Sequence, residues 1–286
     1  MPKAAYFLDL PDARTTSVVV ASPHSGRDYT SAFMSKTVLD PVAIRSSEDA
    51  FVDRLFEKAP DLGAVFLRAG APRAFLDLNR SCDELDPALI EGVRRVAHNP
   101  RVASGLGVIP RVVANGRAIY AGKLSRAEAD ARIDGFWRPY HKTLQRLMRE
   151  NKSRFGESIL LDCHSMPHEA IAANTSADKK RPDIVIGDRF GASASTEIVE
   201  RVEAAFANAG FAVARNTPFA GAYITQAYGR PMQGYHAVQI EIDRALYMDE
   251  AAIRPRADFH AFRRLITGVL ADLVEIGQQG LPLAAE

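Results

Sequence analysis

Val18-Val19-Val20-Ala21-Ser22-Pro23-His24-Ser25-Gly26 is the stretch that decides the fold class. Its β-branched run is continuous rather than alternating, the pattern of a strand buried on both faces. The run stops at Ser22-Pro23, because proline has no N–H to give to a central ladder. His24 is the first residue past the break, and Ser25 and Gly26 after it let the backbone turn sharply and approach a ligand. Ligands of open α/β sheets bind just outside the carboxyl ends of the strands. His24 therefore stands where chemistry is expected.

A second stretch repeats this design. Ser158-Ile159-Leu160-Leu161-Asp162-Cys163-His164-Ser165-Met166 is an apolar strand that again delivers a histidine and a small polar residue at its end. Two histidines leaving two buried strands at one sheet edge suggest two ligands of a single metal ion. The rival reading makes each a loop histidine bonded to backbone. Cys163, beside His164, reads as a small buried filler pointing away from the site.

Ala237-Val238-Gln239-Ile240-Glu241-Ile242-Asp243 is the last strand of the pattern. Its alternation puts Gln239, Glu241 and Asp243 on one face and the apolar residues on the other. A glutamate inside a strand suited to burial is costly unless partnered, which makes Glu241 the best candidate for a working carboxylate. The competing reading is a glutamate on the solvent face of an edge strand.

Between these strands, residues 31–45 form a polar connection with a short helical pattern. Ser46-Ser47-Glu48-Asp49 can cap a helix over residues 50–59, where Phe51, Val52, Leu55 and Phe56 recur at helical spacing. Glu48 and Asp49 complement a helix dipole there, and either could swing a carboxylate toward a metal. Residues 64–68 and 74–78 read as short strands, the second running into Asn79-Arg80. The planar fork of Arg80 suits a substrate carboxylate, or a structural salt bridge with Asp77 or Asp83.

Asn115-Gly116 between residues 108–113 and 117–120 resembles a hairpin turn. Ser125-Arg126-Ala127-Glu128 is a capping box opening a helix over residues 126–152, which Pro139 should kink near Trp137-Arg138. His141, in its second half, reads as packed or hydrogen-bonded. Further on come a buried strand over 183–188, an amphipathic helix over 195–209 and a strand from 211. Residues 218–234, with three glycines, have the pattern of a functional loop, and 256–278 that of a C-terminal amphipathic helix.

The 286 residues carry 36 Lys and Arg against 35 Asp and Glu, and 47% are hydrophobic. No basic excess argues for nucleic acid, no apolar run reaches membrane-spanning length, and no signal-peptide pattern opens the chain. Cys82 and Cys163 do not make a disulfide scaffold, so a cytoplasmic protein is expected. No repeat or composition break divides the chain, which reads as one domain over 1–286. The balance leaves room for a homo-oligomer.

Two histidines, one carboxylate near a helix start and a separate glutamate form a working set. Three protein ligands leave a fourth position of a zinc ion open, and a glutamate outside the coordination shell can act as general base. This chemistry is metal-assisted amide hydrolysis of a small molecule.

The same residues carry a resemblance to the N-formylglutamate amidohydrolase (deformylase) family. It rests on Ser22-Pro23-His24-Ser25-Gly26, Glu48-Asp49-Ala50-Phe51-Val52-Asp53-Arg54-Leu55, Asp77-Leu78-Asn79-Arg80, Gly105-Leu106-Gly107-Val108-Ile109, Tyr140-His141, Asp162-Cys163-His164-Ser165 and Gln239-Ile240-Glu241. These span most of the chain in the family's order. The resemblance implies an α/β fold with a mixed, largely parallel sheet flanked by helices. That fold is the phosphorylase/hydrolase-like one shared with zinc carboxypeptidases and aspartoacylases.

It further implies one Zn2+, with other transition metals tolerated, held by His24, Asp49 and His164. Ala50 stands where the family has an aromatic, which keeps Glu48 as the alternative to Asp49. By the same resemblance Glu241 is the general base, Asn79 and Arg80 hold a substrate carboxylate, and Tyr223 and Gln226 belong to the substrate loop. The family often has an arginine where Gln226 stands. The expected reaction is cleavage of N-formyl-L-glutamate to formate and L-glutamate. The alternatives are hydrolysis of another N-acyl amino acid or small peptide, and a catalytically silent binding protein on the same fold.

Overall fold

A computed structural model describes residues 1–94, 99–172 and 181–278. Its main sheet has seven strands: β1 (Tyr6–Asp9), β2 (Val18–Ser22), β3 (Val65–Ala69), β4 (Ser158–Met166), β5 (Ile184–Gly187), β6 (Val213–Arg215) and β7 (Tyr235–Asp243). Their order across the sheet is β1-β3-β2-β4-β7-β5-β6. β2 runs parallel to β4, and β4 parallel to β7, in a register that pairs Ser158 with Tyr235 and His164 with Glu241. β5 is antiparallel to β7 and parallel to β6. The sheet is thus mixed and largely parallel, with helices around it, as the continuous apolar runs imply.

Every residue of β2 and β4 is buried, which is why β2 and the Ile159-Leu160-Leu161 run of β4 show no polar alternation. β7 lies between β4 and β5, so the edge-strand reading of Glu241 falls. That carboxylate sits inside the sheet.

The described residues group into two compact units. One is built from Met1–Phe7, Pro23–Ala50 and Arg68–Thr143, the other from Leu8–Ser22, Phe51–Leu67 and Leu144–Glu286. In the second, the helices Thr196–Asn208 and Phe259–Ile276 pack on each other. They bury Ile198, Val199, Val202 and Phe206 from one and Ile266, Val269, Leu270, Leu273 and Val274 from the other. Among the described residues no helix is long and apolar enough to cross a membrane.

In the first unit the Ser125 half of the capping box forms, while the Glu128 carboxylate is taken by Lys36 and Arg132. Ser125 Oγ accepts the Glu128 N–H at 3.2 Å and opens the helix Arg126–Arg132. Pro139 interrupts the pattern through a π-helical turn over Ile133–Trp137, and the helix resumes over Arg138–Phe155. A proline's missing N–H is accommodated where the ladder is already re-spaced. Asn115 and Gly116 both take positive φ, and Val113 N–H donates to Arg117 O at 2.9 Å. The hairpin turn is real, although its arms make only an isolated bridge at Val112 and Ala118.

Three local expectations are corrected. The helix over 50–59 shrinks to Val52–Leu55, with Phe51 at its head in the left-handed region (φ 67°) and no side-chain cap. Glu48 and Asp49 are drawn into other bonds, described below, and cannot cap it. Residues 74–78 form a turn rather than a strand, with the Phe75 and Leu76 N–H groups both donating to Pro72 O. Within 218–234 the chain makes a short helix, Tyr223–Tyr228.

Gly26 is needed for packing against protein rather than against a ligand. A Cβ built there would lie 2.1 Å from Ala71 O. Because that contact is with backbone, Gly26→Ala must displace the turn that carries His24. Overpacking of this kind costs about 1–3 kcal/mol. A denaturant titration should show a loss of that size; parental stability would mean that the turn relaxes freely.

Candidate active site

His24 follows β2 directly, and its ring is bound on both sides. Nε2–H donates to Asp77 Oδ1 at 2.7 Å, while Nδ1 lies 3.4 Å from Asp49 Oδ2. Asp49 is tied to the same turn through its backbone, its N–H donating to His24 O at 3.1 Å. Glu48, its neighbour, is taken by Arg45 in a two-point pair of 2.8 and 2.9 Å. Tyr29 lies against Glu48, and burial together with that carboxylate raises the Tyr29 phenol well above its ordinary pKa. Of the two adjacent acids, Glu48 has a cation of its own.

His164 follows the same plan on β4. Its Nε2 lies 3.0 Å from Asp162 Oδ2, two residues earlier on the same face of the strand. Each histidine thus spends one ring nitrogen on a buried carboxylate, which fixes its orientation and leaves Nδ1 for another partner. His24, Asp49 and His164 are all buried. Two ligands of a tetrahedral zinc at about 2.0–2.1 Å lie roughly 3.3 Å apart. The 3.4 Å between His24 Nδ1 and Asp49 Oδ2 fits that spacing. Two imidazoles and a carboxylate, each imidazole backed by an acid, are a donor set suited to one divalent cation.

Asp77 is the hub around His24. Besides His24 it accepts the Asn79 N–H on Oδ1 at 2.8 Å and the Arg73 Nε–H on Oδ2 at 3.1 Å. Burial alone would raise this carboxyl. His24, Arg73 and Arg80 around it nevertheless hold it well below the usual carboxylate range. Asn79 and Arg80 are both buried. Arg80 Nε donates to Leu106 O at 2.9 Å and Nη1 to Asn79 O at 2.8 Å. The guanidinium is held by carbonyls rather than by Asp83.

The carbonyls on either side of Asn79 are gripped in turn. His141 Nε2–H donates to Leu78 O at 2.9 Å, and Trp137 Nε1–H donates to Arg80 O at 2.8 Å. The two rings pack against each other at a tilt of 35°, with centroids 4.1 Å apart.

Glu241 lies on β7, buried, with Gln239 Nε2 donating to its Oε1 at 2.7 Å. Tyr223 and Gln226 are on the Tyr223–Tyr228 helix, Tyr223 half-buried and Gln226 exposed. The Gln226 side chain makes no hydrogen bond among the described residues.

A family model for N-formylglutamate amidohydrolase matches residues 16–248. The chain belongs to the N-formylglutamate amidohydrolase family. It is 32% identical over 272 residues to the N-formylglutamate deformylase of Pseudomonas aeruginosa, covering 92% of this chain and 94% of that one. The enzyme of the same name from Pseudomonas putida is 30% identical over 240 residues, 82% of each chain. The crystal structure of N-formylglutamate amidohydrolase from Ralstonia eutropha JMP134 superposes with a TM-score of 0.90 at 34% identity, covering 96% of this chain and 99% of that one.

In this family member, Asp162 and Gln239 were named in the sequence only as parts of strands and motifs and were given no role, although a signal existed for both. Each is polar inside a strand suited to burial, on the same face as His164 or Glu241, by the periodicity that singled out Glu241. Asp77 entered only as a rival partner for Arg80. No local pattern points from it to His24, which is 53 residues away. Arg73 and Trp137 gave no signal.

His141 offers a measurable consequence. Burial lowers its pKa from 6.5 to about 4, so the native state holds it neutral while the unfolded chain takes up a proton below pH 6.5. Its contribution to stability is complete above that value and is lost as pH falls toward 4, in total about 3 kcal/mol. Comparing stability against pH for the parent and His141→Gln should show this slope in the parent alone. Parallel curves would remove His141 as its source.

Proposed function

We propose that this chain is a metal-dependent amidohydrolase that cleaves the formyl amide of N-formyl-L-glutamate to formate and L-glutamate. The observation that carries the proposal is that His24 Nδ1 lies 3.4 Å from Asp49 Oδ2 and that both buried imidazoles, His24 and His164, are backed by a carboxylate. Family membership and the names of the curated relatives support the substrate. His24, Asp49 and His164 are assigned as ligands and Glu48, already paired with Arg45, is not. A divalent cation bound there, zinc first and manganese or iron as alternatives, supplies Lewis-acid polarisation of the carbonyl and lowers the pKa of water.

The protein's own groups divide the remaining work. Arg80, with Asn79, binds a substrate carboxylate and so places the formyl carbon. Glu241 takes a proton from the attacking water as the C–O bond forms. It returns that proton to the amide nitrogen as the C–N bond breaks, giving formic acid and an amine; the remaining hydroxyl proton then passes to the amine, so that the products leave as formate and an ammonium group. Residues 1–286 act as one catalytic domain, a reading supported by a single family match over 16–248. The setting is cytoplasmic, in keeping with the two unpaired cysteines.

A second reading keeps the chemistry and changes the amino acid. Gln226 favours it, being a neutral amide at a position where a second substrate carboxylate would call for a cation. A panel of N-formyl and other N-acyl amino acids separates the two readings, and no turnover of any of them by metal-loaded protein would leave only a binding protein.

Two sets of variants test the assignments. Glu241→Gln should keep metal and fold and lose kcat by about 10²–10⁴-fold, whereas His24→Ala and His164→Ala should lose stoichiometric metal. Full metal occupancy in both histidine variants would place the site elsewhere. Arg80→Ala should lower kcat/KM by about ten- to two-hundredfold for a free carboxylate, the worth of one charge-assisted bond. It should discriminate little against the amidated substrate. A variant that still rejects the amide as strongly as the parent does would free Arg80 of this role.

A further inference from the structure

We propose that Gln239 positions Glu241, and that through Gln239 the placement of this general base depends on the glycine-rich loop of residues 218–234. The inference rests on the reading of Glu241 as the base and adds a residue that acts only through it. Gln239 and Glu241 are two apart on β7, on one face, and both are buried. Gln239 Oε1 accepts the Ala222 N–H at 3.1 Å, and Gln239 Nε2 donates to Glu241 Oε1 at 2.7 Å. A backbone N–H can only donate, so it fixes which end of the amide carries oxygen. The NH2 end is thereby turned to the carboxylate. Neither leucine nor glutamate at 239 can make both bonds.

The donor on Ala222 is itself held in place. Gly187 of β5 pairs with Gln239, and a Cβ built on it would lie 2.7 Å from Ala220 C and 2.8 Å from Gly221 N. The loop backbone therefore rests directly on the strand beside Gln239, an approach only glycine permits. Arg189 N–H donates to Ala220 O at 2.7 Å, and Thr225 Oγ1 donates to Ala222 O at 2.9 Å. Tyr223, assigned to the substrate, is the next residue along the chain. A shift of the loop at Tyr223 must move the Ala222 N–H, and with it the amide that orients Glu241.

The test uses the metal-loaded protein and its best N-formyl amino acid substrate, with kcat, KM, metal content and melting temperature measured for each variant. Gln239→Leu should keep its metal, change KM less than about threefold and lose kcat by about ten- to a hundredfold, the worth of a hydrogen bond to a charged group. Gln239→Glu keeps an acceptor for Ala222 but loses the donor to Glu241, and should lose at least as much. It also carries the test should the leucine variant fail to fold. In a Glu241→Gln background, Gln239→Leu should cost almost nothing further, because its effect is already spent. The same full loss on top of Glu241→Gln would make Gln239 an independent structural residue and overturn the proposal. So would parental kcat in both Gln239 variants while Glu241→Gln is crippled. Parental turnover in Glu241→Gln would instead overturn the reading of the base itself.

Discussion

The nine-residue parallel ladder between Ser158–Met166 and Tyr235–Asp243 is the constraint on which the rest depends. It sets His164 opposite Glu241 and Asp162 opposite Gln239, all four on one face. Side chains alternate with a period of two, so a slip of one residue would send one strand's polar pair to the other side of the sheet. The apolar positions in between, Ile159, Leu161 and Cys163 on one strand and Val238, Ile240 and Ile242 on the other, are completely buried. They make such a slip prohibitively costly. A hydrophobic register thereby fixes the position of polar groups that could not hold themselves there.

Burying these groups has a price that the structure meets by pairing. An isolated buried carboxylate would shift its pKa and neutralise. Here Asp77 is met by His24, Arg73 and the Asn79 N–H, Glu48 by Arg45, and Glu241 by Gln239. Asp77 does more than survive burial. One of its oxygens receives both the ring of His24 and the backbone that introduces Asn79-Arg80, so a single group orients the ring and starts the segment that carries the guanidinium.

The same demand explains where regular structure gives way. The chain between Arg45 and Phe51 has the composition of a helix start, yet it forms no cap because Glu48 and Asp49 face inward to Arg45 and His24. Phe51 takes a left-handed conformation to let the helix begin after them, a strain that a large residue bears only where its surroundings impose it. The turn at 72–78 is a similar case. A strand there would carry Asp77 away from His24.

Much was legible in the sequence. Continuous apolar runs identified the buried strands and placed His24, His164 and Glu241 at or near their ends, because strand periodicity is a local property. The capping box at Ser125 and the break at Pro139 were readable for the same reason. Only the tertiary structure shows that Arg45 pairs with Glu48 and not with its neighbour Asp49, although the two acids are adjacent in sequence. It also decided that Asp77 backs His24 across 53 residues, and that Ala222 reaches Gln239 across 17. A hydrogen bond needs two groups brought within about 3 Å. Sequence fixes which groups a strand presents and on which face, whereas only the packed chain determines what they meet.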